Sequence, residues 1–227
     1  MNTYPLLGTM VAALAFGVFS AKAEIKEAAV EYKSGEVLCE GWHAYDAAKS
    51  GARPAVLIVH QWTGLSENEK MRARMLADLG YNVLAADIYG KGIRPQPPAA
   101  GQEAGKYKGN RALYRERLQA ALDVLRKDER TDTARIAAIG YCFGGTGVLE
   151  LARSGATLKG VVSFHGGLST PTPADARNIN CEMLVCHGAA DPFVGENAVL
   201  RTNIDPTNLA AGAGGGLKSN ASFTVAG

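Results

Sequence analysis

The sequence has no run of like charge and no uninterrupted apolar stretch of the ~20 residues that a bilayer-crossing helix needs. Lys and Arg number 24 against 22 Asp and Glu, for a net charge of +2, so a nucleic-acid partner finds no basic patch to bind. Internal repeats are absent, and no composition break marks a second domain. Cysteine and histidine are both scarce, at four residues each, and no histidine lies beyond His187. What remains, 47% hydrophobic and 20% charged residues over 227 positions, is the profile of one ordinary domain with a sizeable core.

The first residues stand apart. An apolar segment, Met10-Val11-Ala12-Ala13-Leu14-Ala15-Phe16-Gly17-Val18-Phe19, leads into Ala21-Lys22-Ala23, a small-x-small cleavage pattern, and residues 1–23 read as a signal peptide. Only the terminal amine supplies positive charge ahead of it. The segment is too short for a membrane anchor, and no cysteine follows the cleavage site to carry a lipid. The mature chain is then expected to start at Glu24 in an exported compartment, periplasmic or secreted, where disulfides form. Cys181 and Cys186 flank a predicted strand, Glu182-Met183-Leu184-Val185, whose length puts them beyond disulfide reach of each other. Cys39 could meet one of them, and inert buried thiols are the plainer reading.

Along the chain, residues 30–32 and 37–45 predict a hairpin around Lys33-Ser34-Gly35-Glu36. A loop follows to Pro54, then the apolar strand Ala55-Val56-Leu57-Ile58-Val59-His60. Ser66 with Glu69 forms a capping box that opens a helix over 66–79, and Gly80 suits its end. Residues 82–88 form the next strand. The Gly- and Pro-rich stretch 89–109 reads as a long loop. Residues 110–127 read as an amphipathic helix with its charges on a solvated face. Strands over 134–139, 160–164 and 182–185 complete the pattern. Strands apolar on both faces, spaced by helices, predict an α/β fold with a mostly parallel central sheet and helices on both faces.

One turn concentrates the chemistry. Ile136-Ala137-Ala138-Ile139 runs into Gly140-Tyr141-Cys142-Phe143-Gly144-Gly145 and then into Thr146-Gly147-Val148-Leu149. A strand, a sharp turn with a reactive side chain at its tip, and a helix make a nucleophile elbow, because so tight a bend leaves no room for side chains two positions either side of the tip. The helix N-terminus favours the thiolate, the nucleophilic form of Cys142. In a parallel sheet reactive groups gather at the carboxyl ends of the strands. There stand His60-Gln61-Trp62, Cys142, Phe164-His165-Gly166-Gly167 and His187-Gly188-Ala189-Ala190-Asp191.

Together these four motifs, in this order, resemble the dienelactone hydrolase family over residues from about 24 to 194. The resemblance implies an α/β-hydrolase fold and hydrolysis of a small-molecule ester or lactone, with Cys142 as nucleophile and Asp191 as the acid. It also implies an oxyanion hole from the backbone N–H groups of Trp62 and Phe143, two donors suited to the charge on a tetrahedral intermediate. No motif calls for a cofactor or a metal.

Two departures bear on activity. Gln61 stands where the dienelactone hydrolases proper place a glutamate that helps control the thiol. The triad order on this fold is nucleophile, acid, histidine, yet no histidine follows Asp191, which leaves His165 as a substitute base to consider. The domain is expected over 24–200, followed by an atypical Gly-rich tail over 201–227 that reads as truncated or frame-shifted. The expected function is therefore ester or lactone hydrolysis with impaired activity. The rival from another class is a non-catalytic protein of the same fold that binds a small molecule in the cleft. The export reading predicts that N-terminal sequencing of exported protein starts at Glu24; an intact Met1 on cytoplasmic protein would count against it.

Overall fold

A computed structural model describes residues 23–188. The segment read for export, apart from Ala23, lies outside them, as do Asp191 and the tail over 201–227. Among the described residues seven strands form one sheet in the order β1-β2-β4-β3-β5-β6-β7. Strands β1 (Ile25–Ser34) and β2 (Val37–Asp46) are an antiparallel hairpin, and β2 pairs antiparallel with β4 (Asn82–Ala86). From β4 the sheet is parallel through β3 (Arg53–Val59), β5 (Thr131–Tyr141), β6 (Gly160–Phe164) and β7 (Glu182–Cys186). Among the described residues no helix is long and apolar enough to cross a membrane.

Alternation along the central strands builds two cores. Leu57 and Val59 of β3 and Leu84 and Ala86 of β4 face a large apolar layer made with helices α2 (Ala99–Gly109), α3 (Arg111–Lys127) and α4 (Phe143–Arg153). Val56 and Ile58, with Val83 and Ala85, face Ala73 and Ala77 of α1 (Glu67–Asp78). This is the period-2 division of a strand buried on both faces. Helix α1 starts as its sequence requires: Asn68 N–H donates to Ser66 Oγ, and Ser66 N–H donates to Glu69 Oε2 at 2.9 Å.

Three expectations need correction. The stretch read as a loop over 89–109 contains α2, which buries Ala100, Ala104 and Tyr107 at helical spacing; its glycines lower helix propensity, and tertiary packing overrides them. The charges of α3 are not all solvated, for Arg117 is buried and its Nη1 donates to the Ser34 carbonyl at 2.6 Å. Strand β7 is not deeply buried, with Leu184 54% exposed, because among the described residues it is paired only with β6. All four cysteines are free thiols. Cys39 is fully buried, and burial pushes its thiol up to about 11.

Helix α4 is buried along its whole length and carries a charge to match. Glu150 is fully buried and accepts from Arg153 Nη1 at 2.9 Å and from Arg115 Nη2 at 2.8 Å. Arg115 reaches on to Asp175 at 2.7 Å, and Arg153 Nη2 donates to the Leu168 carbonyl at 2.9 Å. The cluster ties α3 and α4 to the segment after β6, including the 3-10 turn Pro173–Asn178. Removing one partner of a buried pair leaves uncompensated charge. Glu150→Ala is expected to lower unfolding free energy by about 3–5 kcal/mol in urea titration; a loss below about 1 kcal/mol, the exposed-pair range, would contradict the cluster's role.

Candidate active site

The sheet order reverses at β3: the chain leaves it for β4 on one side and returns to β5 on the other. The carboxyl ends of β3 and β5 are adjacent there, and open α/β sheets bind ligands in the crevice at such a point. Gln61 and Trp62 follow β3 there, and Cys142 follows β5.

Cys142 sits between β5 and α4 with φ 53° and ψ −108°. A non-glycine residue held there costs of order 1–3 kcal/mol. The backbone around it explains why the turn persists. A methyl group on Gly140 would lie 2.0 Å from the Gly144 carbonyl oxygen, and one on Gly144 would lie 2.2 Å from the Val59 carbonyl oxygen. Only glycines let α4 start directly on the ends of β5 and β3. The Cys142 N–H donates to the Phe164 carbonyl at 2.8 Å, which fastens the elbow to β6. Phe143 is the first residue of α4, so its N–H has no acceptor within the helix.

The Phe143 ring is fully buried and enclosed by aromatic rings. His60 stacks on it at 5.6 Å and Tyr114 at 4.6 Å; Tyr89 lies 5.3 Å and Tyr107 6.0 Å away. His60 is fully buried, and both of its nitrogens are engaged. The Ile88 N–H points at Nε2, 3.2 Å away, so that nitrogen accepts and the proton sits on Nδ1, which donates to the Gln61 carbonyl at 2.6 Å. His60 is thus a structural ligand of the turn that carries Trp62.

His165, the substitute base considered from sequence, follows β6 with φ 58°, and its N–H donates to the Cys186 carbonyl at 2.9 Å. Its ring stacks on that of His187 at 5.5 Å. Both imidazoles therefore stand at the same edge of the sheet as Cys142. His43 is far from them in the fold, at the amino end of the parallel strands, 2.6 Å from Asn82 Oδ1. The structure thus gathers Trp62, Cys142, Phe143, His165 and His187 at one edge, while Asp191 lies outside the described residues. Sequence reading missed Tyr89 and Tyr114. Tyr89 OH donates to the Trp62 carbonyl and Tyr114 OH to the Phe143 carbonyl, both at 2.8 Å.

The chain matches the model of the dienelactone hydrolase family over residues 42–211. That match starts later than residue 24 and runs past residue 194, the bounds expected from the motifs. It is 42% identical to a solved structure of a dienelactone hydrolase-like promiscuous phosphotriesterase from metagenomic libraries, covering 78% of this chain and 76% of that one, with a TM-score of 0.74. A second solved structure, m3DLH, is 38% identical over 82% of this chain and 77% of that one, with a TM-score of 0.75. A protein of Aquifex aeolicus (strain VF5) that bears the provisional name carboxymethylenebutenolidase is 27% identical over 175 residues, 75% of this chain and 74% of its own length.

Burial holds the His60 imidazole below its ordinary value of about 6.5. Between the two values the unfolded chain binds more protons than the folded one, so stability rises with pH there. The contribution is complete above about pH 6.5 and is lost as pH falls toward the depressed folded value. The urea midpoint is expected to drop from pH 7 to pH 5, and to drop less in His60→Gln. The carboxylates held low by their partners, Asp46, Glu67, Asp132 and Asp175, give up their contribution only at lower pH. A midpoint equally flat in both proteins would refute the assignment.

Proposed function

The chain belongs to the dienelactone hydrolase family, and from that premise we propose that it hydrolyses small esters or lactones through Cys142. The observation that carries the reading is the elbow, where two glycines excluded from bearing side chains hold Cys142 at the start of a buried helix. The thiolate adds to the ester carbonyl, and the Cys142 Sγ–carbon bond forms as the carbonyl π pair moves onto oxygen. The N–H groups of Trp62 and Phe143 receive that oxyanion. Collapse expels the alcohol oxygen and leaves an acyl-thioester, which water then hydrolyses to the acid and free thiol.

Asp191 orients a histidine in this scheme, and no histidine follows it in the 227 residues. On this reading the thiol depends on its own ionisation, and the leaving alcohol departs without a triad histidine to protonate it. The proposed activity is slow and favours substrates whose leaving groups are acidic, such as aryl or enol esters, which depart without a proton. Turnover is reduced by about 10³-fold or more relative to an intact triad. The likeness to a phosphotriesterase brings aryl phosphotriesters into the same reading, since the charge that develops on a phosphoryl oxygen can occupy the same two donors. Residues 1–23 are proposed to direct export.

With p-nitrophenyl acetate the purified chain should give a burst of p-nitrophenol equal to the protein concentration, one equivalent per chain, followed by slow turnover. Cys142→Ala should remove both. Imidazole, corrected for its own reaction with the ester, should raise the turnover of the parent protein and not that of the variant. Brief iodoacetamide treatment should label Cys142 ahead of Cys39, Cys181 and Cys186. Ester binding without a burst, unchanged in Cys142→Ala, would instead support the non-catalytic small-molecule-binding reading.

A further inference from the structure

Resting on that reading, we propose that His60, Tyr89 and Tyr114 are positioning residues of the oxyanion hole, each holding a backbone carbonyl beside one of its two N–H donors. A trans peptide is planar, and its C=O and N–H point in opposite directions. To grip the carbonyl of one peptide is therefore to aim the N–H of the same unit.

The Trp62 N–H shares its peptide with the Gln61 carbonyl, which accepts from His60 Nδ1–H at 2.6 Å and from the Gly64 N–H at 3.1 Å. On the other side of the Trp62 Cα, the Trp62 carbonyl accepts from Tyr89 OH at 2.8 Å. The Phe143 N–H shares its peptide with the Cys142 carbonyl, which accepts from the Thr146 N–H at 3.3 Å. Beyond the Phe143 Cα, the Phe143 carbonyl accepts from Tyr114 OH at 2.8 Å. Each proposed donor residue thus has the peptide planes on both of its sides held. The side chains that hold them are 0% (His60), 2% (Tyr89) and 0% (Tyr114) exposed, where a hydrogen bond is neither screened nor exchanged with water.

The sequence makes room for this arrangement. Gly147 lies inside α4, where glycine costs about 1 kcal/mol relative to alanine, and a methyl group there would lie 2.5 Å from the Tyr114 hydroxyl oxygen. The glycine leaves the space through which that hydroxyl reaches the elbow. Burial raises both tyrosine hydroxyls above their ordinary range, so they remain donors across the working pH range. A preorganised hole has its value in donors that need not reorganise as charge develops. An accepted hydrogen bond at the Gln61 carbonyl also polarises that peptide and strengthens its N–H as a donor.

Two reactions at the same sulfur separate this role from simple support. Acylation by p-nitrophenyl acetate passes through an oxyanion. Alkylation by iodoacetamide is a displacement of iodide at a saturated carbon, and no oxyanion forms. Tyr89→Phe and Tyr114→Phe each remove one hydroxyl and keep the ring. Each is expected to slow burst-phase acylation of Cys142 about five- to tenfold, and the double variant more, with KM and the alkylation rate unchanged. Acylation and alkylation slowed together would mean a displaced elbow and would overturn the proposal, as would acylation at the parent rate. A parent chain that is alkylated at Cys142 but never acylated overturns the hydrolase reading and this proposal with it, whereas acylation that neither variant slows overturns this proposal alone.

Discussion

Backbone packed directly on backbone, at the point where α4 leaves β5, is the contact from which the rest of the molecule is built. Gly144 lies against the end of β3, and Gly140 lies against the Gly144 carbonyl. Neither close approach survives a side chain. Because they hold, the first turn of α4 stands over two adjacent parallel strands, and the helix behind it is buried along its whole length. A buried helix cannot leave a carboxylate unpaired, so Glu150 is met by Arg115 and Arg153. Those two arginines in turn secure the segment that follows His165. The geometry of one turn thus propagates through hydrogen bonds to α3 and to the segment after β6.

Much of this was legible in the sequence, because the signals concerned are local. Apolar runs such as Val56-Leu57-Ile58-Val59 announce strands, Ser66 with Glu69 announces a helix start, and glycines bracketing Cys142 announce the elbow. The signals that failed are those that tertiary packing overrides. Helix α2 hides behind Gly101, Gly105 and Gly109, since what holds it is the burial of Ala100, Ala104 and Tyr107 and not propensity. The inward turn of Arg115 and Arg117 could not be separated from a solvated face, because their partners lie 35 and 83 positions away. The tyrosines at the elbow are harder still. Tyr114 falls on the same apolar stripe as Leu118 and Leu122, and nothing local says that its hydroxyl reaches a carbonyl 29 residues on. The complementary signal was Gly147, a helix-interior glycine that only a close neighbour explains.

Histidine scarcity sharpens the reading of the site. Imidazole serves either as a base with a free lone pair or as a bridge between a donor and an acceptor, and the two uses exclude each other. His60 is a bridge: its Nε2 lone pair is taken by the Ile88 N–H, and its proton by the Gln61 carbonyl. To act as a base it would have to leave a stack with Phe143 and Tyr89 and strand the Ile88 N–H in the core. His43 is engaged with Asn82 at the opposite end of the strands. The remaining two, His165 and His187, share the edge of the sheet with Cys142, and their rings face each other.

Thioester chemistry divides the catalytic work in a way that suits this arrangement. Acylation needs a thiolate, a hole for the oxyanion and a leaving group able to depart; on the proposed reading the first two demands fall on the elbow and the turn after β3. Deacylation needs a base for water. Both half-reactions pass through an oxyanion, so on the proposed reading they share the two N–H donors and differ in what they ask of a base. The aromatic cluster beneath Phe143 then serves both halves. Its rings exclude water from the carbonyls that aim the Trp62 and Phe143 N–H groups, so those donors keep their direction whether or not a proton acceptor stands across the crevice. Selection on the oxyanion hole and selection on the base can accordingly act on separate residues. Tight packing is expected around the elbow even in a relative whose catalytic base has been lost.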